Sequence, residues 1–175
     1  MTTFELREFI RDIPDFPRPG IVFRDITPLL LHPGALDAAV SGLAEQVTPA
    51  GVDFVVAAEA RGFILGAALA RQLGAGFVPA RKPGKLPAET ISAEYALEYG
   101  LDALEVHADA LAHGARVLIH DDLLATGGTA GALCDLVAGL GGQIVGCAFL
   151  VELTFLGGRE RLAPHEVYSL IEYEE

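Results

Sequence analysis

Five short apolar runs recur along the chain, and some of the segments between them repeat their apolar positions at helical spacing. Val52-Asp53-Phe54-Val55-Val56-Ala57 is β-branched and of strand length; Gly76 to Ala80, Arg116 to His120, Ile144 to Leu150 and Val167 to Ile171 follow it. After the first run, Ile64, Leu65, Ala68 and Leu69 share one face of a helix predicted over Phe63 to Leu73, and Gly74 ends it. Leu133, Leu136, Val137 and Leu140 mark a second such face, closed by Gly141-Gly142. Strands that are apolar throughout need cover on both faces, and helical crossovers supply it. The pattern therefore predicts an α/β fold with a parallel sheet flanked by helices, whose ligands bind beyond the C-terminal strand ends. The first fifty residues and the stretch from Lys82 to Leu111 do not follow this alternation. They read as a hood, formed by about 1–35 and 82–111, on a single domain spanning 1–175.

Size and composition agree with one compact unit. At 175 residues the chain is long enough for its own core, and no apolar run approaches the roughly twenty residues that span a bilayer. No basic region followed by an apolar stretch opens the chain, so no secretory signal is expected. Cys134 and Cys147 lie in apolar segments without CxxC spacing, which predicts buried free thiols and a reducing, cytoplasmic setting. A net charge of −12 disfavours nucleic acid and anionic membranes as partners. Against that background, both lysines of the chain fall in Arg81-Lys82-Pro83-Gly84-Lys85. Concentrating all the lysine in one Pro/Gly loop points to a small, strongly anionic ligand.

The segment with most chemistry runs from Val117 to Thr129. A hydrophobic strand ends in two adjacent carboxylates, Asp121 and Asp122, and Thr126-Gly127-Gly128-Thr129 leads into a helix. Glycines let the backbone close around an anion, and amides at a helix N-terminus point at it. The carboxylates repel phosphate but accept hydrogen bonds from sugar hydroxyls or metal-bound water. Together they suit a phosphorylated sugar. Rival phosphate loops, GxxxxGK[ST] and GxGxxG, are absent.

Asp121 to Thr129 resembles the phosphoribosyl pyrophosphate signature of the type I phosphoribosyltransferases, and the resemblance runs from about Phe16 to Tyr173. Phe16-Pro17, Val22-Phe23-Arg24-Asp25-Ile26, Arg61-Gly62-Phe63, Lys85-Leu86-Pro87, Leu97-Glu98-Tyr99-Gly100 and Leu150-Val151-Glu152-Leu153 resemble the branch that acts on adenine. The resemblance implies the type I fold and transfer of a phosphoribosyl group to adenine, giving AMP and pyrophosphate. It implies Mg²⁺ as cofactor, held mainly by phosphoribosyl pyrophosphate and waters with no direct protein ligand, and a homodimer. By the same resemblance Ala125, Thr126, Gly127, Gly128 and Thr129 hold the 5′-phosphate, while Asp121 and Asp122 take the ribose hydroxyls. Glu59-Ala60-Arg61-Gly62 resembles the pyrophosphate loop, whose first peptide is often cis, and Arg81, Lys82 and Lys85 gather the pyrophosphate. Backbone atoms near Val22 and Arg24 read the adenine edge and Phe23 packs on the ring. Glu98 approaches the base from the hood, and Tyr99 joins the substrate-binding set.

Two readings compete with this one: a related transferase for another nucleobase, and a non-catalytic sensor of phosphoribosyl pyrophosphate that binds nucleic acid. The second calls for a basic face or an added DNA-binding domain, and the acidic chain has neither. His120 departs from the family, which more often carries an aliphatic residue there, and is expected to be a satisfied buried histidine. His32, His107, His113 and His165 show no ligand spacing and are read as structural or exposed.

Overall fold

The computed structural model describes residues 5–96 and 100–175, Thr48 by its backbone alone. An antiparallel hairpin of β1 (Arg11–Pro14) and β2 (Val22–Asp25) opens the chain, with Ile13 opposite Phe23. Helix α1 (Thr27–Leu31) and helix α2 (Pro33–Val47) follow. His32 begins α2 as a cap: its Nδ1 accepts the amide N–H of Ala35 at 3.1 Å, satisfying one of the free donors of the first turn. Next come β3 (Phe54–Ala58), α3 (Gly62–Leu73) and β4 (Gly76–Ala80). Gly74 ends α3 in the left-handed region, φ 68°, where a side chain is disfavoured.

A second antiparallel hairpin, β5 (Thr90–Ala96) with β6 (Leu101–His107), stands outside the main sheet. It is tied back by reciprocal hydrogen bonds between the backbones of Arg81 and Glu105, 2.9 and 2.7 Å. The chain finishes with β7 (Arg116–Leu124), α4 (Gly128–Gly139), β8 (Gln143–Leu153), α5 (Gly158–Arg161) and β9 (Val167–Tyr173). The sheet is parallel in the order β4-β3-β7-β8-β9.

Helix α4 covers one face of this sheet. Leu133 and Leu136 pack there with Val117, Ile119 and, from the hairpin, Leu104 and Val106. Helices α2 and α3 cover the other face, where Leu43 and Leu69 meet Val55, Leu118 and Ala148. Each such leucine contributes about 1.5–3 kcal/mol by leaving water. Truncating Leu118 to alanine should cost about 2–5 kcal/mol, because the packed layers cannot close the hole.

The predicted α/β class and the five parallel strands are present. Several boundaries differ, among them β8, which spans Gln143–Leu153 where the sequence predicts Ile144 to Leu150, and β3, which begins at Phe54. The first fifty residues are not all peripheral, because α2 is a full covering helix; its buried stripe is rich in alanine (Ala35, Ala39, Ala44), which weakens the periodicity. Strand β7 does not end at the two carboxylates but runs on to Leu124, paired with Glu152 of β8. Strand β9 continues to Tyr173.

Candidate active site

Strands β3 and β7 lie side by side with Ala57 opposite His120, so the loop that leaves β3 faces the last residues of the longer β7. The loop after β3 carries Glu59, Ala60 and Arg61, and the Glu59–Ala60 peptide is cis. Strand β7 carries Asp121 and Asp122 just beyond the point where β3 stops, and the turn after β7 carries Ala125 to Gly127. Arg61, Asp121, Asp122 and residues 125–129 line one cavity of about 600 Å³.

Arg61 links the parts of this cavity. Its Nε lies 3.0 Å from Oδ2 of the buried Asp122, and its guanidinium lies over the Phe23 ring at 5.0 Å from the centroid. A cation over an aromatic face is attracted by the ring's quadrupole. Phe23 in turn meets Phe16 edge to face, with centroids 5.2 Å apart. The N-terminal hairpin is thereby set beside the carboxylates. Asp121 accepts the amide N–H of Asp122 at 2.9 Å. Burial, and then the adjacent Asp122 charge, push the Asp121 carboxyl well above its ordinary range. A shared pair of this kind can both give and take hydrogen bonds with hydroxyl groups.

The anion loop needs glycine for two reasons. Gly127 has φ 81° and caps α4, and a Cβ there would come within 2.9 Å of the Gly158 carbonyl oxygen. Gly128 begins the helix, so the amides of the first turn of α4 have no partner within the helix and lie along the cavity. Such a helix end attracts negative charge.

A cationic cluster gathers around Glu59, two residues before Arg61. Glu59 receives Lys85 through its ammonium, Arg81 through Nε at 3.3 Å, and the backbone N–H of Lys82 at 2.8 Å. Burial raises the Glu59 carboxyl. The hydrogen bonds from Lys85 and Lys82 and the charges of Lys85 and Arg81 outweigh it, and the net shift is downward. Arg81 and Lys85 thus meet, while the Lys82 side chain goes elsewhere. Its ammonium bonds Asp102 and the Tyr95 hydroxyl (2.9 Å), on the β5–β6 hairpin. Burial lowers the Lys82 pKa, but the bonds to Asp102 and Tyr95 raise it further than burial lowers it.

The other predicted residues are spread around this centre. Val22 is exposed at the start of β2. The Arg24 side chain turns away from the cavity, pairing with Asp12 at 2.6 Å and stacking over Tyr173 at 3.9 Å, so only its backbone remains beside Phe23. Glu98 and Tyr99 lie outside the described residues. His120 is fully buried, with Nδ1 bonded to the Ala148 carbonyl oxygen at 2.9 Å, but Nε2 has no partner among the described residues. The expected satisfaction is therefore half met. Cys134 and Cys147 are buried free thiols, as predicted.

Sequence reasoning missed Arg161, which lines the cavity beside Gly128, and Tyr95, which reaches it from β5. The signal for Arg161 was the Gly157-Gly158 pair directly before Arg159-Glu160-Arg161. A tight glycine turn after a central strand can return a helix to the strand ends.

Comparison with known proteins gives a consistent picture. Residues 30–172 match the phosphoribosyl transferase domain family. The adenine phosphoribosyltransferase of Thermotoga maritima is 58% identical over 173 residues, covering 99% of this chain and all of that one. The crystal structure of adenine phosphoribosyltransferase from Thermoanaerobacter pseudethanolicus superposes with a TM-score of 0.94 at 54% identity, covering 97% of this chain and 98% of the other. That of Saccharomyces cerevisiae, complexed with an imino-altritol bisphosphate and adenine, superposes at 0.91 with 39% identity, covering 94% and 96%.

Proposed function

The chain belongs to the adenine phosphoribosyltransferases, and from that membership we infer that it transfers the phosphoribosyl group of phosphoribosyl pyrophosphate to adenine, giving AMP and pyrophosphate in purine salvage. One observation supports the reading most: a single cavity joins a paired-carboxylate strand end, a glycine anion loop and Arg61, which reaches the Phe23 ring. Each part suits one portion of the substrates. The amides of residues 126–129 take the 5′-phosphate, and Asp121 and Asp122 take the ribose hydroxyls. Arg61, Arg81 and Lys85 take the pyrophosphate, and the backbone of Val22 and Arg24 with the Phe23 ring takes adenine. Lys82 would have to leave Asp102 to join the pyrophosphate.

The chemistry then follows. N9 of adenine bonds to the anomeric carbon as the bond to the pyrophosphate oxygen breaks. The electron pair departs with pyrophosphate, and the proton that N9 loses passes to the departing pyrophosphate. The transition state has oxocarbenium character and needs the leaving charge neutralised by fixed cations, the base held in line, and water kept out. We propose Glu98 as the group that meets N7 from the hood and hydrogen-bonds it, donating there when AMP is the substrate and adenine departs.

Mg²⁺ fits this donor set. Asp121 and Asp122 offer the hard oxygen atoms it prefers, directly or through water. No group of three or more His, Cys, Asp or Glu suited to holding a metal occurs among the described residues, so most ligands would come from phosphoribosyl pyrophosphate and water. When bound, it would neutralise charge on the leaving group.

We propose a homodimer as well, supported by the exposed Leu31, Leu101 and Phe155; light scattering at micromolar concentration should give twice the chain mass, and a fully active monomer would contradict it. The buried free thiols support a cytoplasmic setting. No helix of the described residues is long and apolar enough to cross a membrane. The activity is tested by incubating the protein with phosphoribosyl pyrophosphate, Mg²⁺ and adenine. AMP and pyrophosphate should appear in equal amounts; no nucleotide would overturn the reading.

A further inference from the structure

Arg161 stands at the anion-loop end of the cavity, without a counter-ion among the described residues. Its Nη1 is 3.7 Å from the position a Cβ would take at Gly128, and its own Cβ is 3.4 Å from the corresponding point at Gly127. Among the described residues no carboxylate lies within ion-pair distance of it; the ion pairs of α5 belong to Arg159.

The helix that carries Arg161 is fixed from beneath. Arg159 grips the buried Glu152 of β8 with two nitrogens, donates to the Val167 carbonyl oxygen at 2.8 Å and reaches the Ser169 hydroxyl at 3.1 Å. Gly158 packs so closely on the loop that a Cβ there would collide with the Ala125 carbonyl oxygen. Packing of α5 therefore places the exposed Arg161, unneutralised among the described residues, beside Gly127 and Gly128 of the anion loop in a chain of net charge −12. A cation in that position attracts an anion, and its planar fork matches phosphate oxygens two at a time.

We propose that Arg161 is a phosphate-binding residue for the 5′-monoester of phosphoribosyl pyrophosphate and AMP, donating from α5 to the group that residues 126–129 hold by their amides. The proposal rests on the transferase reading and deepens it. It also gives α5 a purpose: the helix carries a side-chain cation to a loop whose own contacts are backbone amides and hydroxyls.

The test compares binding of AMP and of adenosine, which lacks the monoester, by calorimetry with wild type, Arg161→Ala and Arg161→Lys. Removing one charge-assisted contact should weaken AMP by roughly 10- to 100-fold and leave adenosine within about twofold. Arg161→Lys keeps the charge but loses the fork and should recover part of the loss. The defect should be larger at pH 7 than at pH 5, because the monoester gains its second charge near pH ~6. Unchanged AMP affinity in Arg161→Ala, or equal losses for AMP and adenosine, would overturn the proposal. If Arg161→Ala unfolds early, Arg161→Lys carries the comparison: an AMP affinity below wild type with adenosine unchanged supports the assignment, and no difference opposes it. The two readings fail separately. A wild type that makes no AMP from adenine sinks the transferase, whereas an active wild type with an indifferent Arg161 sinks this assignment alone.

Discussion

Gly127 and Gly158 face each other across the mouth of the anion loop, so close that a Cβ on Gly127 would stand 2.9 Å from the Gly158 carbonyl oxygen. The loop after β7 and the turn after β8 are therefore one packed unit. Gly158→Ala would drive a methyl group against Ala125 and Leu124, so α5 must retreat. Overpacking of this kind costs about 1–3 kcal/mol. Thermal unfolding should fall accordingly, and the KM for phosphoribosyl pyrophosphate should rise while that for adenine stays close to wild type. Equal increases in both would mean the damage is general.

The two anion sites should separate by mutation. Lys85→Ala removes a cation from the cluster around Glu59 and should weaken pyrophosphate and phosphoribosyl pyrophosphate more than AMP. Thr126→Ala lies in the anion loop and should weaken AMP as well. Equal losses of AMP affinity in the two variants would contradict this division.

His120 makes stability depend on pH. Burial lowers its pKa from 6.5 to about 4, against a smaller raising effect of the Ala148 hydrogen bond. The unfolded chain takes up the proton first as pH falls, so this contribution is complete above pH 6.5 and is lost progressively down to about pH 4. The full change is about 3–4 kcal/mol at one pK unit per 1.4 kcal/mol. Denaturant unfolding at pH 7 and pH 4.5 should show a larger acid loss in wild type than in His120→Asn, whose amide can still donate to Ala148. Parallel losses would remove His120 as the cause.

Much of this was legible in the sequence, and what was not has physical reasons. Strands buried on both faces, such as Phe54–Ala58 and the Val117–Ile119 part of β7, announce themselves because every position is apolar. Helix α2 did not, since alanine gives little contrast between faces. The loop from Asp121 to Thr129 could be read because its chemistry is continuous in the chain. Arg161 could not, since folding of β8 and α5 brings it back to Gly128 from 33 positions away. Which way Lys82 and Arg24 turn was equally invisible, because Asp102, Asp12 and Tyr173 decide it from other elements.

Glu98 is the residue on which the proposed proton donation depends. Glu98→Gln keeps a donor for N7 and should retain much of the activity. Glu98→Leu should lose roughly 10²- to 10⁴-fold, mostly in the chemical step. Single-turnover rates decide it, and a normal rate for Glu98→Leu would take Glu98 out of the chemistry.

The choice of adenine is the claim on which the rest depends, and kcat/KM for adenine against hypoxanthine tests it most directly. A backbone acceptor near Val22 and Arg24 would welcome the 6-amino group and be left facing a 6-oxo oxygen in hypoxanthine. Sites built around such a hydrogen bond reject the mismatched analogue by roughly 10⁴- to 10⁵-fold. Adenine should therefore be preferred by at least ~10³-fold with phosphoribosyl pyrophosphate and Mg²⁺ saturating, allowing for a partly hydrated site. Comparable kcat/KM for the two bases would contradict the account.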